Sequence, residues 1–132
     1  MAYCMTTKVR EDFDATVQRV TEELAQEGFG VLTEIDVKAT LKKKLDKDFR
    51  PYRILGACNP PFAFRALQVE PRIGTMLPCN VIVQQLDDGS VEVAAVDPLA
   101  SMQAIDNPEL AEIATEIRAK LKSVVVRLGT SS

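Results

Sequence analysis

Val81-Ile82-Val83-Gln84-Gln85-Leu86-Asp87-Asp88-Gly89-Ser90-Val91-Glu92-Val93-Ala94-Ala95-Val96 is the stretch on which the fold turns. Two runs rich in β-branched residues, Val81 to Leu86 and Val91 to Val96, flank Asp88-Gly89, a pair that tolerates the positive φ of a type I′ hairpin turn. With Asp88-Gly89 as a two-residue loop, Leu86 faces Val91, Val81 faces Val96 and Asn80 faces Asp97. A one-residue bulge would shift this pairing and turn the side chains to the other face.

Working outward from the hairpin, the rest of the chain alternates strands with helices. Tyr3, Met5, Thr7 and Val9 recur at the period of two of a half-buried strand. Phe13, Val17, Val20 and Leu24 recur at helical spacing, and Gly28 ends that helix because glycine takes the left-handed C′ conformation without strain. Phe29 to Ile35 is a second strand, and Asp36 is a good N-cap for a short helix carrying Val37, Leu41 and Leu45. A third strand centres on Tyr52-Arg53-Ile54-Leu55. Asn59 can cap the next helix, which runs to about Val69 with Pro60 at its first position. Pro71, Gly74 and Pro78 punctuate an irregular connection into the hairpin. Asn107-Pro108-Glu109 starts the last helix, whose apolar stripe is Leu110, Ile113, Ile117, Leu121 and Val124. The order β-α-β-α-β-α-β-β-α predicts a two-layer α+β domain over residues 1–128, with a five-stranded mixed sheet and helices mainly on one face. Residues 129–132 read as a frayed tail.

Composition narrows the function. At 132 residues the chain fits one domain with a sound core. A net charge of -3 argues against nucleic acid, because phosphate binding needs clustered lysine and arginine. The basic run Lys42-Lys43-Lys44, with Asp46 and Asp48 after it, reads as the wet face of a helix. No stretch approaches the roughly 20 apolar residues that span a bilayer, and Met1 to Arg10 lacks the pattern of a signal peptide. The expectation is a cytoplasmic protein whose three cysteines stay reduced.

There is no histidine. The usual Ser-His-Asp and Cys-His arrangements therefore cannot be built, and histidine-ligated zinc is excluded. Gly28-Phe29-Gly30 lacks the third glycine of a dinucleotide fingerprint and follows a helix rather than a strand. No cofactor is identified, no metal ligand set is assigned, and nothing requires catalysis.

What remains is a duplicated dipeptide beside proline, in Leu55-Gly56-Ala57-Cys58-Asn59-Pro60-Pro61 and Met76-Leu77-Pro78-Cys79-Asn80. Cys58-Asn59 ends the third strand and Cys79-Asn80 begins the fourth. They lie together if those strands are antiparallel and at opposite ends if parallel. A connection holding a helix plus an irregular return favours the antiparallel case. The hairpin pairing would add Asp97 and Pro98 to the same sheet end. Each residue also has a plain structural use: cysteine packs as a small hydrophobe, while Asn59, Asp36 and Asp97 suit helix caps or turns.

Four motifs resemble the signature of the bacterial and archaeal domain-of-unknown-function family 302. They are Gly28-Phe29-Gly30-Val31-Leu32-Thr33-Glu34-Ile35-Asp36-Val37-Lys38, Leu55-Gly56-Ala57-Cys58-Asn59-Pro60, Leu77-Pro78-Cys79-Asn80-Val81, and Asp97-Pro98 after the hairpin. The likeness runs from Val9 to Met102. It implies a compact α+β domain, often seen as a dimer, with no established reaction. Its characteristic positions include Glu34, Asp36, Cys58, Asn59, Cys79 and Asn80.

The sequence thus points first to a homodimeric, non-catalytic module that binds a small ligand near Cys58, Asn59, Cys79, Asn80, Asp97, Glu34 and Asp36. One alternative is a cysteine-dependent enzyme or a sulfur or soft-metal carrier, with Cys58 or Cys79 as nucleophile and Asp36 or Asp97 moving protons. The other is a dimerisation domain without chemistry.

Overall fold

A computed structural model describes residues 2–130. The five strands are β1 (Cys4–Val9), β2 (Gly30–Asp36), β3 (Tyr52–Cys58), β4 (Cys79–Gln85) and β5 (Val91–Val96). The helices are α1 (Phe13–Gln26), α2 (Val37–Leu45), α3 (Pro60–Val69), α4 (Pro98–Ser101) and α5 (Pro108–Thr130), with a 3₁₀ helix at Pro71–Met76. The sheet order is β1-β5-β4-β3-β2, and every pairing is antiparallel. The α+β class is as expected, whereas the mixed sheet is corrected to a wholly antiparallel one. The connections through α2 and α3 return the chain to the neighbouring strand in the opposite direction, while α1 carries it across the sheet from one edge strand, β1, to the other, β2.

Local signals explain most boundaries. Asp12 caps α1 by accepting a hydrogen bond from Ala15 N at 2.7 Å. At the other end Gly28 adopts φ 88°. Its N–H reaches Ala25 O at 3.1 Å, and Phe29 N reaches Leu24 O at 3.0 Å, a Schellman motif closed by the buried pair Phe29 and Leu24. Asp36 caps α2 through Ala39 N at 2.9 Å. Asn107 caps α5 through Glu109 N and Leu110 N. The lysine-rich end of α2 buries no residue and pairs Lys42 with Asp46 and Asp48, the wet face its charges suggested.

The hairpin departs from the two-residue loop. Gly89 N donates to Leu86 O at 2.9 Å and Leu86 N to Ser90 O at 2.8 Å, so three residues, Asp87 to Gly89, form the loop. Gly89 takes φ 87° as the left-handed residue of a bulge. The Asp88 carboxylate accepts from Ser90 N and Ser90 Oγ, which holds this three-residue form. As a result Val81 pairs with Ala95 and Gln85 with Val91, one residue from the expected register.

That register sorts the sheet into two faces. Leu55, Ala57, Cys79, Val81, Val83, Val93 and Ala95 enter the core with Val20, Leu24, Leu110, Leu121, Val124 and Leu128 from α1 and α5. The opposite face bears Thr6, Ala94, Ile82, Ile54 and Ile35 in register across all five strands. Helix α5 runs on through Thr130, past the point where the sequence suggested a frayed tail, with Gly129 set close against Thr7 of β1. Ser131 and Ser132 lie outside the described residues. Among the described residues no helix is long and apolar enough to cross a membrane.

Candidate functional site

Because β3 and β4 are antiparallel, Ala57 pairs with Cys79 and Gly56 with Asn80. The two Cys-Asn dipeptides therefore meet at one sheet end. Cys58, Asn59 and Cys79 line a cleft of about 320 Å³ between that end and the helices. Its walls are Phe29 and Leu32 from the start of β2, Ala63, Ala66 and Leu67 from α3, and Gly74, Leu77 and Pro78 from the following connection. Met102, Leu110, Ile113 and Ile117 close the far side. The space exists where small residues meet: Ala57, Ala63, Ala66 and Gly74 leave the volume that larger side chains would fill.

A β-bulge shapes the mouth. The β2–β3 register shifts between Val31 and Thr33, which leaves Leu32 unpaired and re-aimed. Leu32 is 69% exposed and Leu67 43% exposed, although both line the cleft. The apolar surface thus continues from the interior to solvent.

Asn59 is 8% exposed and occupies the N-cap position of α3 without making a side-chain cap bond. The expected cap is not made: Pro61 has no N–H to donate at the second helical position, and the side chain is turned to Glu27 without bonding the Phe62 N–H at the third. Ala63 N is also engaged, by the Asn59 backbone carbonyl at 2.9 Å. Asn59 Nδ2 instead donates to Glu27 O at 3.0 Å, satisfying a carbonyl at the C-terminus of α1. The side chain thereby joins two helix ends at the cleft.

The thiols are unlike. Cys79 is 5% exposed, and burial, then the nearby Cys58, pushes its thiol up to about 11. It is a neutral group at physiological pH. Cys58 is half-buried, and Cys4 lies away from both in β1. A raised folded-state value means that Cys79 contributes stability below its unfolded value of 9.0, lost as pH rises through about 11. Stability is expected to fall by about 3 kcal/mol across that window. Urea unfolding at stepped pH, with Cys79→Ala as reference, should show the alkaline loss in the parent and a flatter profile in the variant.

The remaining sequence candidates lie elsewhere. Asn80 is exposed and lines a groove of about 280 Å³ on the open sheet face, with Tyr3, Cys4 and Val96. Asp97 is buried, but it accepts from Leu99 N at 3.0 Å to cap α4 and pairs with Arg118 Nε at 2.9 Å. Glu34 and Asp36 pair with Arg53 at 3.1 and 3.5 Å. Gly30, not Asp36, stands opposite Cys58, which puts Asp36 about 20 Å along the strand from the cleft. Sequence reasoning missed Leu32, Leu67, Met102 and Ile113 as cleft residues. The alanines on α3 were the available signal, since small residues on a buried helix face make room for something.

The family model described as "Domain of unknown function DUF302" matches residues 5–128. A crystal structure of an uncharacterized conserved protein DUF302 from Bacillus stearothermophilus is similar, with 33% identity and a TM-score of 0.90. The alignment covers 97% of this chain and 99% of that one. No curated protein matches significantly.

Proposed function

The chain belongs to the DUF302 family, and we propose that it is a non-catalytic module binding a small apolar molecule in the cleft between α3, α5 and the Cys58–Cys79 sheet end. The observation that carries this reading is the cleft itself: about 320 Å³, walled by Phe29, Leu67, Leu77, Ile113 and Ile117, and opening past an exposed Leu32. Such a volume falls within the range of small-molecule sites, where apolar walls supply affinity and a few polar groups supply orientation. The carboxylates that a cysteine enzyme would need for proton transfer are committed elsewhere, Asp97 to Arg118 and Asp36 to Arg53. Three unpaired thiols suit a reducing compartment such as the cytoplasm.

Thermal unfolding against increasing toluene tests the reading. Ligand at 100 times its Kd adds about 2.7 kcal/mol to the native state, so the melting temperature should climb with concentration. A melting temperature that stays flat or falls sinks the proposal.

The open sheet face supports a second reading, that the module works as a homodimer. Its central row joins Ala94, Ile82, Ile54 and Ile35, with Ile35 exposed at the edge. Two copies packed face to face would cover this row. Light scattering should give a dimer mass for the parent and a monomer mass for Ile82→Arg. A monomeric parent would contradict it.

A further inference from the structure

We propose that the cleft selects neutral apolar molecules bearing one hydrogen-bond donor, such as a phenol or an aliphatic alcohol, whose hydroxyl docks on Asn59 Oδ1. This deepens the binding reading and rests on it. Asn59 lines the cleft and is more than nine-tenths buried. Its amide orientation is fixed, because Nδ2 donates to Glu27 O at 3.0 Å. A flipped amide would set Oδ1 against that carbonyl oxygen. Asn59 Oδ1 receives no cap bond from α3: Pro60 and Pro61 have no N–H, and the Phe62 N–H at the third helical position does not bond to it. Yet the described residues contain no sealed, unsatisfied buried side-chain oxygen or nitrogen. Oδ1 therefore keeps open surface, and the cavity that Asn59 lines is the cleft. It is an acceptor held in place with its partner missing.

The rest of the lining sets the charge of the ligand. Among the described residues, neither lysine, arginine, aspartate nor glutamate lines the cleft. A carboxylate or an ammonium ion would enter without a counter-charge, at a cost that binding could not recover. Cys58 and Cys79 are weak hydrogen-bonding groups, and the buried Cys79 thiol stays neutral well above physiological pH. One strong acceptor in apolar walls therefore matches one donor on an apolar body.

Four probes of similar size test this on the unmodified protein by calorimetric titration: p-cresol, 4-methylanisole, toluene and p-toluate. p-Cresol should bind roughly tenfold tighter than toluene and 4-methylanisole, the value of one buried hydrogen bond. p-Toluate should not bind. Asn59→Ala should erase the preference for p-cresol while leaving toluene bound. Equal affinity for p-cresol and toluene overturns the donor inference and leaves the apolar-cleft reading standing. Binding of p-toluate as tight as p-cresol overturns it too. Failure of all four probes overturns both.

Discussion

Gly56→Ala is expected to destabilise the protein by about 3 kcal/mol, read as a lower urea midpoint with an unchanged slope. Gly56 sits in β3 between two neighbours that leave no room for a β-carbon. A Cβ there would overlap Thr33 Oγ1 outright and lie 2.7 Å from Pro78 Cγ. Thr33 follows the bulge that re-aims Leu32, and Pro78, joined to Leu77 by a cis peptide, lines the cleft. The packing that excludes a side chain at Gly56 therefore fixes two parts of the cleft wall. Adding Thr33→Ala should recover part of the loss and leave the Pro78 overlap, so the double-mutant cycle should show favourable coupling. A Gly56→Ala protein as stable as the parent would contradict this account of the β2–β3 edge.

Ala63→Phe is expected to abolish binding of small apolar ligands, with at least a hundredfold loss of affinity, while raising stability by about 1 kcal/mol. Ala63 stands on α3 facing the cleft and is only half-buried. A phenyl ring there would occupy the space assigned to a ligand and gain contacts with Leu67 and Ile113. The opposite signs separate loss of a site from loss of a fold. Calorimetry with p-cresol or toluene, beside a urea melt, reads both. Undiminished affinity in a folded Ala63→Phe protein would place the bound molecule elsewhere.

Much of the fold was legible because single residues carried clear backbone demands. Gly28 announced the end of α1, and Asp36 and Asn107 announced the starts of α2 and α5. The 3.6-residue stripe of α5 named its buried face correctly through Leu110, Ile113, Ile117, Leu121 and Val124. The hairpin register was not legible. Asp-Gly serves both a two-residue turn and a three-residue turn with a bulge, and the choice fell to side-chain bonds from Asp88 to Ser90. That one-residue difference takes Asp97 out of register with Asn80, while the alternation of β4, with Cys79 in the core, turns Asn80 to the open face.

The meeting of Cys58 with Cys79 followed from strand direction and was foreseeable on that condition. The fate of the carboxylates was not, because Arg53 and Arg118 are distant in sequence from most of the groups they hold. Asp97 and Asp36 proved to be caps and ion-pair partners, a use their positions before Pro98 and Val37 already suggested. The bulge at Leu32 left no mark in the alternation of β2.

The central claim is that a small apolar molecule enters between α3, α5 and the Cys58–Cys79 sheet end. Methyl-selective nuclear magnetic resonance during titration with p-cresol tests it most directly, since isoleucine and leucine methyls stand on both sides of the sheet. Shifts should gather on Leu32, Leu67, Leu110, Ile113 and Ile117, while Ile35, Ile54 and Ile82 on the open face stay still. Saturable shifts on the open-face isoleucines with none at Ile113 or Ile117 would contradict the account.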